Sequence, residues 1–282
     1  MSRIAEIREL LKLSPAEVRQ RAGGRMIVCP DLDAMHQRMA DDIAEEIQTN
    51  NSHGQPTRLI LPVGPTAQYP LLAEIVNREQ ISLANCWLFF MDEYCDESGQ
   101  SLPIEHPLSF RGDAQRLFLS QLDSALGFRP ENAIFPVPEE TDLDKLPALI
   151  EQVGGIDTCY GGVGIHGHVA FNEPEPGVKD TGPRRIRLND YTITINTIRS
   201  RVGGNLDAFP RYAYTLGMRE VLGSRRIRLY CRNGYGLDWS NTVLRVALFG
   251  TPGDDYPVTH IRDHNYVIVT TEDTLASPDF VL

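Results

Sequence analysis

Two histidines, His166 and His168, stand in the glycine-rich stretch GGVGIHGHVAFNEPEPG (161–177), and Glu173 follows five residues after the second. Glycines let a backbone approach a ligand closely. An imidazole held by a carboxylate is a natural proton shuttle near neutral pH. Histidines are more often plain core or surface residues. Two of them in a glycine-flanked loop behind a buried run point instead toward chemistry. His-x-His is also metal-ligand spacing that Glu173 or Asp92 could complete, but no further ligand is recognisable and no metal is assigned.

A second candidate lies in FFMDEYCDE (89–97), where an apolar run ends in Asp92 and Glu93. A carboxylate at the carboxyl end of a buried strand is partly desolvated, which lifts its pKa toward that of a useful general base. Charge runs are usually solvated turns. Asp92, which touches the apolar run, is the better functional candidate than Asp96 or Glu97. A third candidate is LILPVGPTAQYP (59–70). There a strand enters Gly64-Pro65-Thr66 and then a helix, whose free N–H groups and positive dipole end suit a phosphate. Thr66 adds a hydroxyl, whereas Pro65 removes one donor. The plain alternative is a tight turn with Thr66 as the helix cap. Several arginines between Arg184 and Arg232, Arg199 among them, could clamp an anion, although most will be surface residues.

These segments need a scaffold. RMIVCP (25–30), RLILPV (58–63), CWLFFM (86–91), AIFPV (133–137), DTCYGGVG (157–164), RIRLNDYTITI (185–195), RIRLYC (226–231) and YVIVTT (266–271) read as strands. Helical patterns intervene, as at 31–48, up to about 77, 109–126, 143–155 and 236–249. Short, fully apolar strands alternating with helices indicate a parallel sheet covered on both faces. The expected fold is a three-layer α/β/α sandwich with a mostly parallel, Rossmann-like sheet. Residues 1–24 read as an appended helical arm, with Ser14-Pro15 as a cap and first helical residue, and 25–282 as one domain. In such a sheet ligands bind outside the carboxyl ends of the strands, where the three candidate segments fall.

The 282 residues are enough to bury a large core, and 27 Lys plus Arg against 38 Asp plus Glu leave a formal charge of -11. That excess of acid argues against nucleic acid as a partner but not against an anionic small molecule, which responds to the local field. No apolar run reaches the ~18–20 residues of a membrane span, and the first residues lack a signal-peptide pattern. Five scattered cysteines without a CxxC pair suggest neither a disulfide framework nor a zinc knuckle. A cytoplasmic globular protein is expected.

Across about residues 25–272 the sequence resembles the glucosamine-6-phosphate deaminase/isomerase family, whose fold is close to that of 6-phosphogluconolactonase. GGVGIHGHVAFNEP resembles the family's Gly-Gly-Val-Gly-Asn-Asp-Gly-His loop with its following Ala-Phe-Asn-Glu-Pro. FFMDEY is similar to the strand bearing the catalytic Asp, EHPLSF to a Glu-His-Pro-x-Ser segment, and LPVGPT to the phosphate turn. The resemblance implies an aldose–ketose isomerisation that releases ammonia from a phosphorylated amino sugar, without metal or organic cofactor, in a homo-oligomer. It implies that His168 opens the sugar ring, that Glu173 orients it, and that Asp92 moves a proton between C1 and C2. It also implies that Gly64, Thr66 and Arg199 hold the phosphate.

Three positions depart from that pattern. Ile165-His166 stands where the family has Asn-Asp, so one ring-opening carboxylate is missing and His166 takes its place. Pro65 replaces a glycine. The phosphate lysine is absent, with Tyr235 near its place and Arg232 as a substitute. Each lost charge-assisted contact weakens phosphate binding by about 1.5–3 kcal/mol. Isomerisation of a different sugar phosphate, lactone hydrolysis, and sugar-phosphate sensing without catalysis are the alternatives.

Overall fold

Strands that read as unbroken apolar runs do so because both of their faces are covered. Ile60 and Phe89 enter one apolar layer, while Leu59, Leu61, Leu88 and Phe90 enter the other. The computed structural model describes residues 1–234 and 236–282. In chain order its helices and strands begin with α1 (Arg3–Leu11), α2 (Pro15–Ala22), β1 (Met26–Cys29), α3 (Leu32–Ser52), β2 (Thr57–Leu61), α4 (Gln68–Arg78), β3 (Cys86–Phe90), β4 (Asp92–Cys95) and α5 (Phe110–Leu117). They continue with β5 (Ala133–Ile134), α6 (Leu146–Gln152), β6 (Thr158–Gly162), β7 (Arg184–Arg187), α7 (Asp190–Arg199) and β8 (Tyr212–Thr215). The last are α8 (Met218–Leu222), β9 (Arg226–Cys231), α9 (Ser240–Phe249), β10 (Tyr266–Thr271) and α10 (Glu272–Leu275).

Among the described residues, seven strands form one sheet in the order β1-β10-β9-β6-β2-β3-β5, and every pairing in it is parallel. Helices α3, α4 and α5 cover one face; α2, α6, α8 and α9 cover the other. This is the expected α/β/α sandwich. The chain lays β2, β3 and β5 outward on one side and β6, β9 and β10 on the other, so the strand order reverses between β2 and β6. That reversal leaves a crevice at the carboxyl ends of the strands.

A second sheet is not apparent from the sequence pattern. Strands β4, β8 and β7 pair antiparallel and, with α7, enclose a small core of Tyr94, Phe171, Leu188, Ile193, Phe209 and Ala213. Met91 joins the two sheets: its N–H donates to Leu61 O at 3.0 Å and its carbonyl accepts from Leu216 N at 2.8 Å.

The segment 185–195 corrects the sequence reading. Only Arg184–Arg187 is strand, and DYTITINTIR is helix α7. Asn189 caps it by accepting the Thr192 N–H, and Asp190 places negative charge in the first turn. The hydroxyls of Thr194 and Thr197 bond to the carbonyls four residues back, so the β-branched alternation is accommodated inside a helix. The N-terminal helices lie on the sandwich: Leu13, Val18 and Ala22 are buried in its core. The fully buried Arg245 of α9 reaches Leu13 O at 3.2 Å and Leu275 O at 3.1 Å.

Candidate active site

A cavity of about 300 Å³ opens at the carboxyl ends of β2, β3, β6 and β9, across the reversal of strand order. Gly64, Thr66, Asp92, His168, Arg199 and Arg232 all line it, so six of the eight residues singled out from sequence share one hollow. Tyr94, Asn196, Ser200, Tyr230 and Trp239 also contribute walls.

Asp92 is the first residue of β4, beyond the joint at Met91. Period-two alternation sends Asp92 and Tyr94 toward the cavity and Glu93 the opposite way. There Glu93 accepts from Ser109 Oγ (2.9 Å) and from the backbone N–H groups of Phe110 (3.0 Å) and Arg111 (2.7 Å). It thus serves the N-terminus of α5, with Arg111 beside it. The EHPLSF segment has its structural use here, because Ser109 both caps α5 and holds Glu93. Asp92 is 6% exposed. Burial first, and the Glu93 charge second, lift its carboxyl well above the usual range.

The histidine loop leaves β6 and doubles back. Gly164 N donates to His168 O at 2.9 Å, Gly167 N donates to Gly164 O at 2.9 Å, and Val163 bridges Val169. The imidazole of His168 thereby lies directly on Gly164, where a Cβ would fall 1.8 Å from Nε2. Only glycine leaves room. Burial pushes His168 down to about 3, helped by the Arg199 charge and by His166, so the ring is neutral at physiological pH. Asn172, fully buried, donates to Val169 O and Leu216 O (both 2.9 Å) and accepts from Arg184, which closes the far end of the loop.

His166 and Glu173 fall outside the cavity lining. His166 is half-buried, with its ring 4.4 Å from that of Tyr191 and edge-on. Glu173 is buried at the N-terminus of α7, where it accepts the Asn189 N–H at 2.6 Å. The direct partner of His168 Nδ1 is not Glu173 but the Thr192 hydroxyl, at 3.4 Å. Burial lifts the Glu173 carboxyl, while the Thr192 hydroxyl and Asn189 N–H pull it back.

At the opposite wall the turn after β2 runs against β6: a Cβ on Gly162 would stand 3.0 Å from Gly64 O. Helix α4 takes Ala67, not Thr66, as its N-cap, and no side chain caps it. Thr66 meets the first turn through its carbonyl instead, which accepts the Tyr69 N–H at 3.0 Å, and Pro70 brings no N–H. Buried Gln68 braces the turn by donating to Pro65 O at 2.8 Å. Arg199 ends α7, where a cation suits the negative dipole end. Arg232 follows β9. Tyr235 lies outside the described residues. Sequence reasoning misses Thr192, Asn196 and Tyr94, all tied to α7 or β4. The Asn189-x-x-Thr192 cap spacing is the signal that could have revealed the two on α7.

No family model matches the chain. A glucosamine-6-phosphate deaminase from Porphyromonas gingivalis is 30% identical over 259 residues, which span 88% of this chain and 91% of that protein. The chain belongs to the glucosamine-6-phosphate deaminase family. A deaminase of that name from Bacteroides fragilis is 29% identical over 259 residues, 88% of this chain and 89% of its own. The fold of this family member superposes with a TM-score of 0.75 on a monomeric glucosamine-6-phosphate deaminase, at 22% identity, covering 89% of this chain and 98% of that one. A 6-phosphogluconolactonase from Thermotoga maritima shares the fold at a TM-score of 0.60 and 18% identity, with 88% and 99% covered.

Proposed function

We propose that this member of the deaminase family converts a phosphorylated 2-amino sugar, glucosamine 6-phosphate first among candidates, and water into the 2-ketose phosphate and ammonia. The observation that carries the reading is that a desolvated carboxylate, Asp92, and a neutral imidazole, His168, open into the same cavity. In this reading His168 accepts the hydroxyl proton at C1 and returns it to the ring oxygen, which opens the ring. Asp92 then takes the proton from C2 and delivers it to C1. Water releases the amine from the resulting C2 imine. Glu173 acts from behind His168 rather than on the sugar.

Gly64 and Thr66, in the turn before α4, would face the phosphate, with Arg199 and Arg232 supplying the cavity's cationic side. Pro65 contributes no N–H, so more of the grip rests on the arginines. A cytoplasmic setting belongs to the same proposal, because a charged sugar phosphate does not cross a bilayer unaided. The homo-oligomer implied by the resemblance does not follow from the family alone, since one structural relative is described as monomeric.

The test is ammonia release and ketose formation across a panel of sugar phosphates. Turnover of an amino-sugar phosphate that falls at least about 100-fold in Asp92→Asn supports the reading. Lactone hydrolysis without deamination overturns it, as does Asp92→Asn working like the wild type.

A further inference from the structure

The histidine loop is gripped on its outer side by a segment from far along the chain. Val258 N donates to Gly167 O at 2.7 Å, one residue before His168. Gly167 packs so closely there that a Cβ would fall 2.9 Å from Val258 Cγ1 and 3.2 Å from Tyr256 Cδ1. The Tyr256 ring also stands edge-on to His166, 6.5 Å between centres. Beyond the loop, Asp254 accepts the Gly177 N–H at 2.8 Å. The segment is braced within itself. Gly253 N donates to Thr259 Oγ1 at 2.9 Å, and the Thr259 hydroxyl donates to Tyr256 O at 2.7 Å.

Helix α1 holds this segment from the other side. Arg3 donates to both carboxylate oxygens of Asp255 (2.7 and 2.8 Å) and to Thr251 O (2.8 Å). Its guanidinium lies 5.8 Å from the centre of the Tyr256 ring. Glu6 accepts the N–H and the hydroxyl of Thr251, both at 2.7 Å. No residue of α1 is buried, so polar contacts set its register on the segment. A lone exposed ion pair would hold little. A forked guanidinium–carboxylate pair with a ring beneath it and bonded neighbours imposes a defined geometry.

We propose that α1 is a clasp for the histidine loop: Arg3, through Asp255, Thr251 and Tyr256, keeps Val258 seated on Gly167 and so positions His168. Arg3 is a positioning residue, remote from the sugar. The seating is a property of the folded chain; its effect on turnover rests on the deaminase reading given above.

Hydrogen exchange of the whole protein without substrate reads the seating directly. In Arg3→Gln, peptides covering 162–169 and 254–260 are expected to exchange at least about tenfold faster than in the wild type, with β9 and β10 unchanged. For deamination of glucosamine 6-phosphate, kcat falls at least about threefold in Arg3→Gln while KM stays within about twofold. Arg3→Lys, which keeps a charge beside Asp255, recovers part of the rate. Arg19→Gln removes the contact of α2 with Glu272 and is expected to change neither readout. Exchange at 162–169 unchanged in Arg3→Gln overturns the proposal. So do equal changes in Arg19→Gln, because the arm would then act only through general stability. If Arg3→Gln does not fold, Asp255→Asn tests the same contact from its other side. A wild type that turns over no sugar phosphate sinks the deaminase reading, while exchange at 162–169 still decides the clasp.

Discussion

Adding one methyl group at Gly164 tests the placement of the imidazole more directly than removing the imidazole does. A Cβ there would lie 1.8 Å from Nε2 of His168, 2.1 Å from Cε1 and 2.3 Å from Cδ2. It would occupy the volume of the ring itself. Ordinary contact begins at 3.4 Å, so the ring has to retreat by about 1.6 Å, beyond the ~1 Å misplacement that can cost about 100-fold in rate. Gly164 is not in the left-handed region, so alanine brings no backbone penalty and the perturbation is confined to the ring. Overpacking of this kind costs about 1–3 kcal/mol of stability, which leaves the protein folded. Gly164→Ala is therefore expected to keep a cooperative thermal transition and to lose at least about 100-fold in kcat for ammonia release. A Gly164→Ala enzyme working within about threefold of the wild type would refute the reasoning, because the ring would then be dispensable or displaced from Gly164.

If the proposed phosphate grip holds, replacing Arg199 by Gln removes a charge-assisted contact worth about 1.5–3 kcal/mol. Steady-state kinetics should show KM raised about 10–100-fold, and an unchanged KM would take Arg199 out of the phosphate grip. The pH profile of kcat/KM is expected to rise through the lifted pKa of Asp92 as that carboxylate ionises, with no step from His168 near 6.5. For stability the sign is the reverse. Folded Asp92 holds its proton more tightly than the unfolded chain, so its contribution to stability is full below about pH 3.9 and declines as pH rises through the folded pKa. Asp92→Asn lacks this decline, and melts at pH 4 and pH 8 should show its advantage over the wild type growing with pH. Arg245→Met leaves the buried carbonyls of Leu13 and Leu275 without their donor. A loss of about 2 kcal/mol, or roughly 4–8 °C in Tm, is expected, and an unchanged Tm would show that the link is idle.

The parallel sheet was open to sequence reading because its strands are buried on both faces. Apolar runs such as LIL at 59–61 and LFF at 88–90 have no other economical use. Strands β9 and β10 match the expected ranges end to end. What escaped was the antiparallel sheet. YAYT at 212–215 is short, and its partners lie more than a hundred residues upstream and near residue 185. TITI at 192–195 carries a strand's period, yet it lies in a helix where Thr194, and Thr197 beyond it, bond to carbonyls four residues back while Thr192 turns to His168. For the same reason Asp92 and Glu93 could not be sorted by sequence alone. Their fates diverge only because β4 alternates between a cavity and the end of α5. The Gly-rich histidine loop announced itself by composition. The neighbour that holds His168 did not, since Thr192 comes from an element whose type was misread.

The joint at Met91 has a mechanical consequence. One residue is tied to Leu61 through its N–H and to Leu216 through its carbonyl, and Asp92, the proposed general base, is the very next residue. Moving Asp92 would mean unpicking hydrogen bonds in both sheets at once, whereas Arg199 sits where a helix gives way to an irregular stretch. Under the proposed function, accommodation of substrates of different size would fall to the Arg199 end of the cavity, with Asp92 as the fixed reference point.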